Sequence, residues 1–232
     1  MRTLVEAYRQ GYFPMAPDGA MDWHNPDPRG VIPLSEGEGL HIPRRLRDRV
    51  RSGRFAITTD VAFEAVVRGC ALPRPSEPKS WIDERIVRAY AALHEAGHAH
   101  SIEAWLGEDG MQRGAGKAGP THPLGPWIEG GGGVLVGGLY GVHIGGAFFA
   151  ESKFSLPALG GTDASKVCLA HLIAHLRRRG FTLLDTQFWN PHIGQFGCME
   201  IPRAEYLVRL GAAVASPVEW LPFEPRLDRA TM

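Results

Sequence analysis

The sequence has few cysteines, no long hydrophobic run and no net charge, and each absence argues against a class of protein. The three cysteines, Cys70, Cys168 and Cys198, are scattered and none stands in a CxxC spacing. An odd, scattered set is typical of a reducing compartment and argues against a structural zinc site. No run reaches the roughly 18 apolar residues of a membrane span, and the chain does not open on a signal peptide. We therefore expect a cytoplasmic protein that binds no membrane.

The charge is balanced, with 25 Lys and Arg against 25 Asp and Glu. A protein that coats a nucleic-acid duplex usually carries a large basic excess, so extensive duplex binding is not expected. The basic residues are concentrated locally instead, and six arginines fall within eleven residues: Arg44, Arg45, Arg47, Arg49, Arg51 and Arg54. This run is either a solvated helix face or a limited nucleic-acid contact at one end of the molecule.

The order of predicted elements indicates a mixed α/β (α+β) fold. Residues 1–39 are rich in proline, glycine and aromatics and predict a small N-terminal domain with one short helix, and residues 40–232 form the main domain. Apolar spacing predicts helices over 61–70, 81–96, 164–179 and 202–210, and strands over 101–106, 134–142, 144–150 and 181–186. The glycine-rich stretch 107–133 predicts a mobile surface loop. The unit from Ile144 to Gln187 is the best candidate for a parallel βαβ crossover, whose strand ends should carry the site.

One short motif suggests a metal site. Residues 94–98 read HExxH, which in zinc hydrolases places two histidines on one helical face with the glutamate as general base. Gly97 stands where the helical pattern ends, so we expect His98 to lie outside the helix and the spacing to be lost. We expect no metal and no cofactor.

Polar residues follow the last buried strand. Asp185, Gln187 and Asn190 come where its apolar run ends, next to Trp189 and Pro191. A carboxylate and amides at a strand end can orient an amine and stabilise a developing oxyanion. The pattern therefore favours an acyl-transfer site, and the alternative is a loop whose polar groups only bond to one another.

Ten segments along nearly the whole chain resemble one family in consistent order. They are YRQGYFPM (8–15), Trp23 with PDPR (26–29), HIPR (41–44), WI (81–82), AHSIEAW (99–105), VGGLYG (136–141), ESKFS (151–155), ASK (164–166), DTQ (185–187) and EIPR (200–203). The family they resemble is that of the leucyl/phenylalanyl-tRNA–protein transferases.

The resemblance implies a GNAT-like acyltransferase domain behind a small N-terminal domain. We expect the enzyme to be a monomer. The same resemblance implies transfer of Leu or Phe, and less well Met, from aminoacyl-tRNA to the N-terminal Arg or Lys of acceptor proteins. The new residue then marks the acceptor for degradation as an N-degron. The alternatives are a GNAT-like acetyl-CoA-dependent N-acetyltransferase and a zinc hydrolase. Against the first, no Q/R-x-x-G-x-G/A loop precedes the helix at Ala164.

The resemblance also implies roles for individual residues. Carried over by position, the apolar donor pocket comprises Trp105, Leu139 and Phe148, and the terminal adenosine lies near Trp23. Glu151 and Ser152 bind substrate beside the acceptor. The catalytic group comprises Asp185, Gln187 and Asn190. The arginine run would hold the tRNA acceptor stem. The chain departs from the family at His24, Asn25, Leu139 and Lys153. Our hypothesis is that Gln187, polarised by Asp185, orients the attacking amine, that Asn190 fixes the carbonyl, and that Glu151 attracts the cationic acceptor residue.

Overall fold

The computed structural model describes residues 2–16, 20–74, 78–107, 122–124, 129–130 and 133–223. The predicted loop over 107–133 therefore lies largely outside the described residues. Within the described ranges, no helix has the length and apolar content to cross a bilayer.

Seven α-helices are described, and the sequence predicts the longer ones well. They are α1 (Arg2–Arg9), α2 (Arg44–Arg51), α3 (Phe63–Cys70), α4 (Glu84–Glu95), α5 (Ala164–Arg179), α6 (Pro191–Gly194) and α7 (Arg203–Ala215), with 3-10 turns at Glu36–Glu38 and Pro157–Leu159. Helix α5 has the predicted bounds and ends at Gly180 with φ of 79°, after three arginines that suit a helix C-terminus. Asp163 occupies the N-cap position of α5, but its side chain makes no cap bond and pairs instead with Lys166 at 3.1 Å.

Ten strands form one large sheet and one hairpin. They are β1 (Phe13–Met15), β2 (Asp22–His24), β3 (Arg29–Ile32), β4 (Ala56–Thr59), β5 (Ala99–Leu106), β6 (Glu129–Gly130), β7 (Gly133–Ile144), β8 (Ala147–Ser155), β9 (Leu183–Gln187) and β10 (Met199–Ile201). The hairpin is β1–β2, and the sheet has the order β10-β3-β9-β8-β7-β5-β4 with β6 beside β7. The pair β8–β9 is parallel and every other described pair is antiparallel, so the predicted α+β class and βαβ crossover are confirmed.

Helices cover both faces of the sheet, and each face has its own core. One core joins residues of α1, α3, α4 and α7, including Tyr8, Tyr90 and Tyr206. The other joins residues of α2 and α5, including Leu46 and Leu172. Burial on both faces explains why β5 and β7 read as nearly continuous buried runs.

The parallel strands β8 and β9 separate after a short paired stretch. Their ladder joins Ala147–Phe149 to Leu183–Asp185, and β8 then continues unpaired with β9 as far as Ser155. The gap between the separating strands is the point in the sheet where a substrate can enter between backbone segments.

Strand β3 comes from the N-terminal side of the predicted domain boundary at residue 39, yet it lies inside the large sheet between β9 and β10. Its Gly30 approaches the backbone after β9 so closely that a Cβ there would lie 2.8 Å from the carbonyl carbon of Phe188. Only glycine fits without displacing that segment. The N-terminal residues thus position the end of β9 directly.

Candidate active site

A cavity of about 190 Å³ opens where β8 and β9 separate. Its lining comes from both strands, β7, α5, the segment around α6 and the segment between α3 and α4: Arg74, Trp81, Leu139, Ala150, Glu151, Ser152, Lys153, Leu169, Thr186, Gln187, Asn190 and Ile193. Five of the predicted site residues, namely Leu139, Glu151, Ser152, Gln187 and Asn190, therefore meet in one place.

Glu151 is the carboxylate of this cavity, and it is held by three donors. Its Oε1 accepts from the Tyr8 hydroxyl at 2.7 Å and from Gln187 Nε2 at 3.1 Å, and its Oε2 accepts from the Tyr90 hydroxyl at 3.0 Å. Burial raises the pKa of Glu151 to about 7, although the tyrosine hydrogen bonds oppose the shift. A carboxyl group with that pKa can take and release a proton near neutral pH.

Asp185 is fully buried and does not line the cavity. Its oxygens accept from Arg29 Nε at 3.0 Å and Nη2 at 2.7 Å, and from the Tyr206 hydroxyl at 2.7 Å. Its Oδ1 also accepts from the backbone N–H of Gln187 at 2.8 Å. Asp185 therefore fixes the backbone at the end of β9, and the side-chain amide of Gln187 turns to Glu151 instead.

Gln187 adopts a left-handed backbone conformation with φ of 60°. This conformation costs a residue with a Cβ roughly 1–2 kcal/mol. The bond from its N–H to Asp185 and the close packing of the next residue against Gly30 hold it there. Strain maintained by surrounding contacts is frequent at functional sites, and here it brings the amide to the cavity.

Asn190 begins α6 and faces the same cavity. Its Oδ1 accepts from the backbone N–H groups of His192 at 3.0 Å and Ile193 at 3.2 Å, which is the geometry of a helix N-cap. The cap fixes the amide plane, so the remaining Nδ2 group is oriented as a hydrogen-bond donor.

Comparison with known proteins gives a consistent result over most of the chain. Residues 31–115 and 115–211 match the family model of the leucyl/phenylalanyl-tRNA protein transferase, and residues 2–27 match the model of its N-terminal domain. The leucyl/phenylalanyl-tRNA–protein transferase of Paramagnetospirillum magneticum is 44% identical over 215 residues, which cover 91% of this chain and 88% of the relative. That of Caulobacter vibrioides is 43% identical over 217 residues, covering 92% and 85%. The chain belongs to the leucyl/phenylalanyl-tRNA–protein transferase family.

The backbone strain at Gln187 gives a prediction for the transferase. Gln187→Gly and Gln187→Ala both remove the amide that bonds Glu151, so both should lose activity to a similar extent. Glycine tolerates the left-handed conformation, so the glycine variant should be about 1 kcal/mol more stable than the alanine variant. Urea unfolding measures the difference, and equal stabilities would contradict the assigned backbone strain.

Two residues of the predicted donor pocket, Trp105 and Phe148, are not part of the lining of this cavity. Trp105 and Phe148 are 1% and 0% exposed. The indole Nε1 of Trp105 donates to Thr58 Oγ1 at 2.7 Å, and the Phe148 ring lies 5.5 Å from that of Trp220. Of the three predicted residues, Leu139 lines the cavity.

Trp23 lies elsewhere, in an open cleft of about 750 Å³ beside α1 of the transferase. It is 41% exposed, and Tyr12 and His98 line the same cleft. The neighbouring His24 stacks on Phe13, which in turn packs edge-on against Phe188 after β9. The hairpin β1–β2 thus lies next to the segment that follows Gln187.

The HExxH motif does not place two histidines on one helix of the transferase. Helix α4 ends at Glu95, and Gly97 has φ of 75°, so the expectation that His98 lies outside the helix is confirmed. His94 Nδ1 bonds the carbonyl oxygen of Ala99 at 2.8 Å. In the described part of the chain, one set of acidic and histidine side chains is compact enough to hold a metal ion, and it consists of Asp60, His94 and His100. There Asp60 accepts from His100 Nδ1 and from Trp220 Nε1, an arrangement that anchors the C-terminal segment.

The predicted arginine run of the transferase forms α2 and the turn after it. Four of its members are exposed, namely Arg44, Arg45, Arg51 and Arg54, and Arg47 and Arg49 are half-buried. Over the described ranges, none of the six forms an ion pair with a carboxylate. Helix α2 packs on α5, whose Arg177 lines a cavity with Arg47. The basic surface therefore extends across both helices.

Four residues that shape the site were not predicted as functional from the sequence. Tyr8 and Tyr90 bind Glu151, and Arg29 and Tyr206 bind Asp185. Tyr8 and Arg29 fall in segments that resemble the family, which is the signal that could have found them. Tyr90 and Tyr206 fit apolar helix stripes and read as ordinary core residues.

Proposed function

We propose that this transferase moves Leu or Phe, and less well Met, from aminoacyl-tRNA to the N-terminal Arg or Lys of acceptor proteins in the cytoplasm. The product carries a new peptide bond and an N-degron. The observation that carries the proposal is the pairing of Glu151 with Gln187 across the gap between β8 and β9, in a chain of this family. We further propose that the enzyme acts as a monomer.

The chemistry needed is aminolysis of an ester that is already activated. The enzyme must hold a neutral amine near the ester carbonyl and accept the proton that the amine releases. Gln187 and Asn190 present amide groups that orient the amine and the carbonyl. Asp185 acts as a positioning residue, because it holds the backbone of Gln187 and does not reach the cavity.

Glu151 supplies the proton acceptor. Its carboxylate and the hydroxyls of Tyr8 and Tyr90 make three close oxygen–oxygen contacts, the hydroxyl pair being 2.5 Å apart. When Glu151 is ionised, the two tyrosine hydroxyls supply only two protons for these three contacts. A third proton, bound by Glu151, would give each contact one proton. The network is therefore built to receive one proton. In its ionised form Glu151 also attracts the cationic N-terminal residue of the acceptor.

The donor side chain is held by the apolar part of the cavity. Leu139, Leu169 and Ile193 form that part, and the volume of about 190 Å³ suits one Leu or Phe side chain. Trp23 with the hairpin β1–β2 receives the terminal adenosine. Ser152 lies beside Glu151 on the acceptor side.

The separating parallel strands support a GNAT-like architecture, which leaves an acetyl-CoA-dependent reaction as the alternative. That reaction needs backbone N–H groups at the start of α5 to bind a pyrophosphate. These groups are used internally: Ala164 donates to Gly161 O at 3.0 Å, Ser165 to Ser155 Oγ at 2.9 Å and Lys166 to Asp163 O at 3.0 Å. Calorimetric titration with acetyl-CoA should accordingly show no binding, and stoichiometric binding would favour the alternative.

The deciding experiment is transfer of radiolabelled Leu from charged tRNA to a protein with N-terminal Arg. The matched control is the same protein with N-terminal Gly, which offers an amine of similar basicity but no cationic side chain. We expect label in the first acceptor alone. Equal labelling of both acceptors would contradict the proposed acceptor class, and absence of label from both acceptors would contradict the proposed reaction.

Helix α2 gives a separate prediction about the tRNA. If its exposed arginines hold acceptor-stem phosphates, the double variant Arg44→Gln/Arg45→Gln should bind tRNA more weakly and reduce the slope of log K against log salt by about 2. The control variant Arg88→Gln/Arg209→Gln removes an exposed arginine from α4 and a half-buried one, paired with Glu205, from α7, and it should keep the wild-type slope. Filter binding from 50 to 300 mM salt (roughly the range over which such contacts weaken) measures both, and identical slopes would exclude this surface.

A further inference from the structure

A second cavity adjoins the candidate active site and has a basic lining. It has a volume of about 450 Å³ and shares Arg74 and Lys153 with the smaller cavity. Lys166 and His192 complete its basic lining, and Ser155 and Ser165 lie between them. No Asp or Glu belongs to its described lining. The lining of this cavity therefore carries an excess of positive charge.

The cations of this cavity have little compensation within the described part of the chain. Lys153 has no ion pair there, and Arg74 donates to the backbone carbonyls of Cys70 and Lys153. Lys166 bonds one carboxylate, that of Asp163. Burial and the nearby Arg74 lower the pKa of Lys153, because both disfavour its charged form.

We infer that this cavity binds a phosphodiester of the unpaired 3′ end of the aminoacyl-tRNA donor. The inference rests on the proposed function, because the ester must react in the adjoining cavity. The part of the donor nearest that ester is polyanionic, whereas nothing in the reaction requires negative charge on the acceptor peptide. Lysine binds phosphate as a point charge without a fixed angle, which suits a flexible single strand. The N–H groups of the first turn of α5 are already bonded, so the side chains carry the recognition.

The site sets where the donor lies. A strand anchored by Lys166 and Lys153 reaches the gap between β8 and β9 from the α5 side, with its ester carbonyl beside Gln187 and Asn190. The arginines of α2 would then hold the duplex stem, and this cavity would hold a phosphodiester of the unpaired nucleotides that precede the terminal adenosine. The two contacts are separable, because a donor shortened to its 3′ end retains only the second.

The experiment compares two short donors, the leucyl ester of the trinucleotide CCA and the leucyl ester of adenosine, which has no phosphodiester. The measured quantity is the ratio of kcat/KM for the first donor to that for the second. Lys166→Gln should lower this ratio about tenfold, the effect of one lost charge-assisted contact. The control Arg88→Gln removes an exposed arginine from α4 and should leave the wild-type ratio.

The outcomes separate the inference from the function on which it rests. A wild-type ratio in Lys166→Gln overturns the inference while transfer itself continues. If the wild type transfers Leu from neither ester nor charged tRNA, the proposed function fails instead. Titration with inorganic phosphate tests whether the cavity is instead a site for a free anion. In that case phosphate would bind the wild type while the kcat/KM ratio remained insensitive to Lys166→Gln, and this result would also overturn the inference. Circular dichroism of the variant confirms that it is folded.

Discussion

Arg29→Met should lower the free energy of unfolding by about 3–5 kcal/mol, because it leaves the Asp185 carboxylate buried without its cation. Both residues are 0% exposed, and the guanidinium makes two bonds to the carboxylate, a third to the carbonyl of Gly11, and contacts with the rings of Phe13 and Tyr206. Thermal and urea unfolding measure the loss, which corresponds to roughly 10 °C in Tm for a chain of this size.

The double variant Arg29→Met/Asp185→Leu is the control that separates stability from function. Replacing a buried ion pair by apolar residues of similar volume often restores stability, so the double variant should unfold closer to wild type than the single one. It should remain inactive, because the N–H of Gln187 loses its acceptor and the left-handed turn is no longer held. A wild-type Tm in the single variant, or wild-type turnover in the double variant, would contradict the positioning role of Asp185.

Glu151→Gln should lower kcat by about 10²- to 10⁴-fold, the usual contribution of a general acid or base. In the wild type, activity should rise with pH through about 7, because Glu151 must lose its proton before it can accept one from the amine. The acceptor amine titrates nearby, at about 7.7–8. The pH–activity profile of Glu151→Gln should therefore keep the rise caused by the acceptor amine and lose the rise near pH 7 that Glu151 causes.

Tyr8→Phe provides the matched test of this assignment. The Tyr8 hydroxyl stabilises the ionised carboxylate, so its removal should raise the pKa of Glu151 and move the lower limb to higher pH. Glu95→Gln, at the end of α4, changes a carboxylate outside the cavity and should leave the profile unaltered. A lower limb that survives in Glu151→Gln would show that another group titrates.

The sequence predicts the long elements of this fold because their periodicity is local. The apolar stripe of α5 and the buried runs of β5 and β7 are visible in any short window. Strands β3, β4 and β10 have three or four residues each and no clear alternation, so pairing with distant segments decides them. The Asp163 side chain does not cap α5, because the backbone of Asp163 itself is left-handed where the chain enters the helix. Composition does not show that conformation.

The site is predictable to the same extent. Three polar residues stand out because an apolar strand ends there: Asp185, Gln187 and Asn190. The sequence does not show that Asp185 points away from the cavity while the other two line it, because this depends on the left-handed backbone at Gln187. Arg29 looked like an ordinary surface charge, and its burial depends on a carboxylate 156 residues away. Tyr90 reads as an ordinary core residue of its helix in the sequence, because only the folded sheet brings Glu151 to its hydroxyl.

The place of β3 in the sheet has a consequence for synthesis on the ribosome. This strand is complete once residue 32 is made, yet both its neighbours, β9 and β10, come from residues 183–201. Such distant pairings close late, because the chain must lose the entropy of a long loop before they contribute. Until β9 emerges, Arg29 lacks its counter-ion Asp185 and Glu151 lacks the amide of Gln187. The active site of a growing chain therefore stays incomplete until nearly all of the domain has been translated. The N-terminal strand can take its place in the sheet only when the C-terminal strands have been made.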